Sequence, residues 1–463
     1  MLSGLWRSEG YGWILSFDET GYTLYHATRV NCIATEHGSH EDFVRSYDRI
    51  ELSGADALSL HQAGDITRYR FRRIAQLPDV AVLASPGQCH DPVISFDTLW
   101  QLFDEHYAFF DLHRVDWLDL YRRQRPRVSA TMTDPELFAV FCKLLESFDD
   151  GHVTLAAPGQ FYQRMRSMDL RRAMQAAFGT PTGLVTPRTT VDAISARIED
   201  ILLAPFDTTR TPLKRACNAI LSWCELEPDI GYVSMLRLFG FADSEAARQA
   251  NGLPHARRAV ADFLREDCVA LETALDAIFT DLRRCRGVIL DLRINGGGFD
   301  RAGLTLAGRF ADRRRLAYSK RAKAGAGYTQ EQEIYMEPRG KGFAGPVAVL
   351  TSPLCISAGE VCVLALRALP QISVMGQSTA GMLSDNLNKP LPNGWELSLS
   401  NEIYTSCGGA VFEGRGITPD VPDEMDAANF VPALRASLVS AVDLLGRGAP
   451  IPLRHGPTGP GAR

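Results

Sequence analysis

The most constraining feature of this chain is a pair of short, unbroken apolar runs, Gly287-Val-Ile-Leu-Asp-Leu292 and Pro346-Val-Ala-Val-Leu350, each followed by a loop and a helical pattern. Runs of this length without polar alternation read as strands covered on both faces. The patterns after them, Ala302 to Ala311 and Ala358 to Ala368, read as helices. Strands buried on both sides and alternating with helices belong to a sheet with helices packed against it. The sequence therefore predicts an α+β or α/β core over residues 229–445. Ile230-Gly-Tyr-Val-Ser-Met235 adds a strand to it, and the stretch to about Arg284 adds helix.

A chain of 463 residues is long for one hydrophobic core, and the remainder divides by pattern. Residues 1–94 read as a small β module, a sandwich or barrel, with strands in Gly10–Phe17, Tyr22–Tyr25, Ile66–Phe71 and Val80–Leu83. From residue 95 the period becomes helical: Trp100, Phe103, His106, Tyr107 and Phe110 fall on one face, and Asp134-Pro-Glu136 opens a further helix. This helical lead-in, residues 95–158, ends in Phe148-Asp-Asp-Gly-His-Val-Thr-Leu155. Residues 159–228 predict a helical insertion, rich in arginine (Arg164, Arg166, Arg171, Arg172) and interrupted at Gly179-Thr-Pro-Thr-Gly183. Residues 446–463, dense in Gly and Pro, predict a flexible tail.

A net charge of −6 provides no basic field for a nucleic acid. No apolar run approaches the ~20 residues that span a bilayer, and the Met1–Gly10 start lacks the pattern of a secretory signal. A cytoplasmic location is the expectation. None of the ten cysteines forms a C-x-x-C pair, so they read as small core residues rather than metal or redox ligands. There is no H-E-x-x-H, and His37 and His40 stand in a polar loop without a third ligand. No metal and no cofactor are predicted.

Four segments could carry chemistry, and each alone has a plain structural explanation. Ser357 lies where a buried strand has ended and a helix opens, so unpaired N–H groups and the helix dipole would favour developing negative charge. Yet Ser357-Ala-Gly-Glu360 is also a helix capping box. The glycines of Asp291-Leu-Arg-Ile-Asn-Gly-Gly-Gly298 could form an anion nest or merely a turn. His152 could be a general base or a structural hydrogen-bonding group. Glu413, in Val411-Phe-Glu-Gly-Arg-Gly-Ile-Thr-Pro-Asp420, could be a site acid or an exposed loop acid near Arg415.

Their order along the chain, Asp150-Gly-His152, Asp291 to Gly298, Ser357 to Glu360 and Glu413 to Asp420, resembles that of the C-terminal processing peptidases and the related tricorn core. Supporting stretches are similar too: Tyr107-Ala-Phe-Phe-Asp, Ile230-Gly-Tyr-Val233, Gly376-Gln-Ser-Thr-Ala-Gly381 and Leu391-Pro-Asn-Gly394. The resemblance covers residues 95–158 and 229–422 and implies a crotonase-like core of mixed sheet and helices. It implies Ser357 as nucleophile, with an oxyanion hole at the N–H of Gly297 or Gly298 together with that of Ala358. Asn295 and Glu360 would be supporting residues. The lysine of the serine–lysine members is replaced by Met382, whose thioether cannot take a proton, and Lys389 lies across a polar loop. The tricorn-like arrangement survives, with His152 as base and Glu413 helping to orient the site, although the serine that precedes that histidine in the tricorn core is Gly151 here. The PDZ domain of many relatives has no counterpart in residues 159–228.

The resemblance thus implies serine-type hydrolysis of a peptide or small acyl substrate through an acyl-enzyme, in a protein free to form a homo-oligomer. Two other uses of the scaffold are compatible with the same residues: non-catalytic binding of peptides or apolar ligands, and transfer of the acyl group to an amine or alcohol.

Overall fold

The computed structural model describes residues 2–62, 64–165, 168–178, 193, 196–206, 211–243 and 257–446. The Gly179–Gly183 interruption, Arg166 and the tail beyond Gly446 lie outside them. The fold is a mixed α+β arrangement of several sheets and helices. Among the described residues, no helix is long and apolar enough to cross a membrane.

The doubly covered strands form the centre. A seven-stranded sheet runs in the order Lys214–Ala216, Leu221–Glu227, Ile230–Met235, Gly287–Asp291, Val347–Thr351, Ile372–Gly376, Val421–Pro422. Its strands from Ile230–Met235 onward are parallel, whereas the first three are antiparallel. Helices Arg257–Asp281, Asp300–Gly308, Ala358–Leu366 and Phe430–Gly446 contribute to one core with it, in which Val288, Ile289, Val349 and Val363 are fully buried. The insertion expected to be helical over 159–228 is corrected here: Leu221–Glu227 is a strand of this sheet, joined to Ile230–Met235 by a tight turn at Pro228-Asp229. Asp229 takes φ 66°, a left-handed value that aspartate tolerates better than most residues.

The N-terminal module is a single continuous sheet of eight strands between Gly4 and Leu83 rather than a two-layer sandwich or a closed barrel. Its edges, Tyr47–Ser53 and Ala81–Leu83, do not pair with each other. Trp6, Leu15 and Phe71 share a second core with Phe96, Leu99 and Phe103 of helix Pro92–His106 and with Phe141 of helix Asp134–Leu145. That core reaches the C-terminal part of the chain through Trp395, which meets Phe138 and Phe141 edge-on at ring distances of 5.8 and 5.7 Å. Strand Thr154–Ala157 pairs with Glu396–Ser400, Leu155 opposite Leu397. This pairing joins the histidine motif to the C-terminal part of the chain in a four-stranded sheet separate from the central one.

Successive pieces of the candidate site hang from the carboxyl ends of neighbouring parallel strands, the usual place for sites in such sheets. The glycine loop follows Gly287–Asp291, Ser357 follows Val347–Thr351, and Thr379–Met382 follow Ile372–Gly376. A buried ion pair anchors these ends: Arg293 reaches Asp291 Oδ2 at 2.6 Å and Ser437 Oγ at 2.7 Å, while the Tyr232 hydroxyl donates to Asp291 at 2.9 Å. Arg293→Met should strand a buried carboxylate and cost about 3–5 kcal/mol of stability. Urea unfolding measures this, and a loss below about 1 kcal/mol would show the pair to be dispensable.

Candidate active site

Ser357 sits where the sequence places it, just before helix Ala358–Leu366, with backbone angles φ 55° and ψ −129°. A side-chain-bearing residue adopts such angles only where its surroundings enforce them. The helix start is held by main chain as well as by the capping box, because the N–H groups of Glu360 and Val361 both donate to the Ser357 carbonyl, at 2.8 and 3.1 Å.

The glycine loop lies directly against this serine. A Cβ on Gly297 would come within 2.8 Å of the Ser357 Cβ and 2.9 Å of the Ile356 carbonyl, and Gly297 has φ +77°. A Cβ on Gly298 would stand 2.7 Å from the Leu238 backbone. Both positions therefore need glycine for close approach as well as for conformation. Asn295, fully buried, holds the loop: its amide donates to the Met235 carbonyl at 2.9 Å, and its Oδ1 accepts the Gly297 N–H at 2.9 Å. Of the two glycines singled out for an oxyanion hole, Gly297 thus already spends its N–H. Among the described residues, the N–H groups of Gly298 and Ala358 have no hydrogen-bond partner.

Glu360 is fully buried and is the junction of the site. It accepts from Thr379 Oγ1 at 2.5 Å, from Gly381 N–H and Met382 N–H at 2.7 Å each, and from Ser357 N–H at 3.3 Å. Burial raises its carboxyl to about 7, against the opposing pull of those donors. The sequence signalled it as a capping-box acid, and the family resemblance as a supporting residue.

His152 is 1% exposed, and neither ring nitrogen has a hydrogen-bond partner. It is therefore not bonded to Ser357 or to Glu413 in this conformation. Burial lowers its pKa, more than the nearby Asp150 charge raises it, and this favours the neutral imidazole. Asp150 fixes the turn, accepting from His152 N–H at 2.9 Å, the Tyr107 hydroxyl at 3.0 Å and the Ser400 hydroxyl at 3.1 Å. Sequence reasoning quoted Asp150 in its motif without giving it this part; the D-x-H spacing of an Asx turn was the available signal.

Met382 joins the two halves. It packs with Ile356 and Ala380, beside Met165, and its methyl lies where a Cβ on Gly151 would stand, 2.3 Å away. Glu413 is not an exposed loop acid: it is 8% exposed and accepts from the N–H groups of Leu383 and Ser384 at 2.8 and 2.9 Å. Burial, with the charges of Asp150 and Glu360, raises its pKa well above the carboxylate range. Lys389 is buried elsewhere, donating to the Tyr11 carbonyl of the N-terminal module.

A strained serine beside free N–H donors, in a chain that also holds a buried histidine whose burial favours the neutral imidazole, has the parts of an acyl-transfer centre. Residues 260–423 match the model of Peptidase family S41, and residues 95–146 match that of the Tricorn protease C1 domain. Over these two segments the chain is similar to the peptidases of family S41 and to the tricorn protease. The carboxy-terminal processing protease CtpA of Bacillus subtilis (strain 168) is 24% identical over 177 residues, 38% of this chain and 36% of that protein. The chain thus matches about a third of that relative's length. A candidate peptidase from Parabacteroides merdae ATCC 43184 is 26% identical with a TM-score of 0.57, over 78% of this chain and 99% of that one. A mutant of CPAF, at 10% identity and a TM-score of 0.50 over 79% and 99%, shares the fold alone.

Gly297→Ala should cost at least about 1–2 kcal/mol from its backbone angle and displace Ser357; reactivity towards a fluorophosphonate equal to wild type would refute this packing. Glu360 has a folded pKa, about 7, above its ordinary 4.5. Its contribution to stability is thus whole below pH 4.5 and lost as pH rises through 7. Chemical unfolding across that range should show a smaller decline in Glu360→Gln than in wild type. Identical slopes would remove Glu360 as a cause.

Proposed function

We propose that the chain is a serine-type peptidase with a crotonase-like core, acting through an acyl-enzyme on Ser357. His152 is the general base: its imidazole takes the Ser357 proton as Oγ attacks the scissile carbonyl and returns it to the leaving amine. The carbonyl oxygen, now an anion, is received by the N–H groups of Gly298 and Ala358, with Gly297 shaping the loop rather than donating. Water then attacks the ester by the same route, releasing the acid and restoring Ser357. The observation that carries this reading is the enforced backbone of Ser357 packed against Gly297 beside two unclaimed N–H donors.

Proton transfer requires the His152 ring to come within hydrogen-bond reach of Ser357, a tightening that substrate binding often brings. Met382 and the side chains around it are what must adjust. Glu413 accepts the N–H groups of Leu383 and Ser384, which makes it a positioning residue. A cytoplasmic location belongs to the same reading, since all ten cysteines are free thiols, as in a reducing compartment.

A fluorophosphonate probe should label the wild type and leave Ser357→Ala unlabelled. His152→Ala should slow labelling by about 10²–10⁴-fold. Labelling of Ser357→Ala at the wild-type rate would discard the nucleophile, and an unchanged rate in His152→Ala would discard the base.

A further inference from the structure

A cleft that includes none of Ser357, His152 or Glu413 is walled by three stretches far apart in sequence. They are the N-terminal module around the end of strand Gly4–Ser8, the chain from the end of helix Pro92–His106 to Trp117, and the hairpin of strands Arg315–Ala324 and Gly327–Tyr328. The cleft holds about 1030 Å³, the scale of a small-molecule site. Its walls touch directly. The Gly325 N–H donates to the Glu105 carbonyl at 3.0 Å, and a Cβ on Gly10 would stand 3.1 Å from the Lys323 carbonyl.

Most charges in these walls answer one another. Arg29 pairs with Asp104 and, at 3.4 Å, with Glu105, while Glu9 pairs with Arg72 at 3.0 Å. Asp116 caps helix Trp117–Gln124, accepting the Asp119 N–H at 2.9 Å. Every acid of the cleft is thus engaged. Arg7 and Lys323 are the exceptions: among the described residues, neither side chain has an ion-pair or hydrogen-bond partner.

A separate observation points to an occupant. His106, in the same wall, is 4% exposed, yet neither ring nitrogen makes a hydrogen bond. The Glu105 Oε2 is 3.8 Å from its Nε2, too far for one. Gly12 lacks the Cβ that would stand 2.5 Å from that nitrogen. Burial, with the charges of Lys389 and Arg7, favours the neutral ring, which offers one N–H donor. A buried imidazole without partners is accounted for by a group that binds beside it. A donor in a wall that also holds two uncommitted cations selects an anion. Phe110, Val115 and Trp117 add an apolar, largely aromatic face for the rest of the ligand.

We infer that this cleft binds a small aryl carboxylate, its carboxylate between Arg7 and Lys323 within reach of the His106 ring and its aromatic body against Phe110 and Trp117. The site stands apart from the proposed peptidase chemistry and does not depend on it.

Isothermal titration calorimetry on the full chain near neutral pH tests this. The probes are 3-phenylpropionate and indole-3-propionate, each compared with its neutral primary amide. Each acid should bind about tenfold more tightly than its amide, the scale of a charge-assisted contact. That ratio should fall to about threefold or less in Arg7→Gln and in Lys323→Gln, and persist in the exposed control Arg284→Gln. His106→Leu should weaken the acids by a similar factor. Thermal melting checks that each variant is folded, and the Arg7 and Lys323 variants decide the matter if His106→Leu is not. Equal affinity for acid and amide, no measurable binding of any of the four probes, or a ratio unchanged in both Gln variants would overturn the site.

Discussion

The site depends on one buried carboxylate. Glu360 gathers N–H and hydroxyl donors from three stretches of chain: its own helix start at Ser357, the Thr379 side chain, and the Gly381-Met382 backbone. A carboxyl group fully removed from water would be costly with fewer partners. With them, it ties the ends of two neighbouring parallel strands and holds Ser357 in a conformation it would not adopt unaided. Asn295 does the same on the opposite side, spanning Met235, Gly297 and the backbone of Ile356. The serine is thus gripped from both flanks.

Much of the core was readable because strands covered on both faces announce themselves as apolar runs, as Gly287–Asp291 and Val347–Thr351 did. Leu221–Glu227 was not. Its residues mix polar and apolar types beside an arginine-rich stretch, and only the Pro228-Asp229 turn hinted at a hairpin. Whether the N-terminal strands form one sheet or two was equally illegible, since alternation reveals a covered face without saying what covers it. Here the cover is helix Pro92–His106, from a segment that the pattern alone would assign elsewhere.

Within the site, residue identity was legible and allegiance was not. That Gly297 would surrender its N–H to a side chain two residues earlier depends on the Asn295 rotamer, which no spacing encodes. Glu413's own segment left a site acid and an exposed loop acid equally open, and the glycines beside it let the loop fold inward and bury it. His152 carried no sign that both ring nitrogens would be left without partners. The matched family segments, 95–146 and 260–423, coincide with the stretches whose motifs were most ordered in sequence.

The contact between Gly151 and Met382 binds two distant positions into a single steric choice. A hydroxyl-bearing residue ahead of the histidine has no room while the thioether's terminal carbon occupies its place. A shorter residue at the other end would leave a void among Ile356, Ala380 and Met165. Neither change can be made alone without strain or a hole, so the two positions must change together.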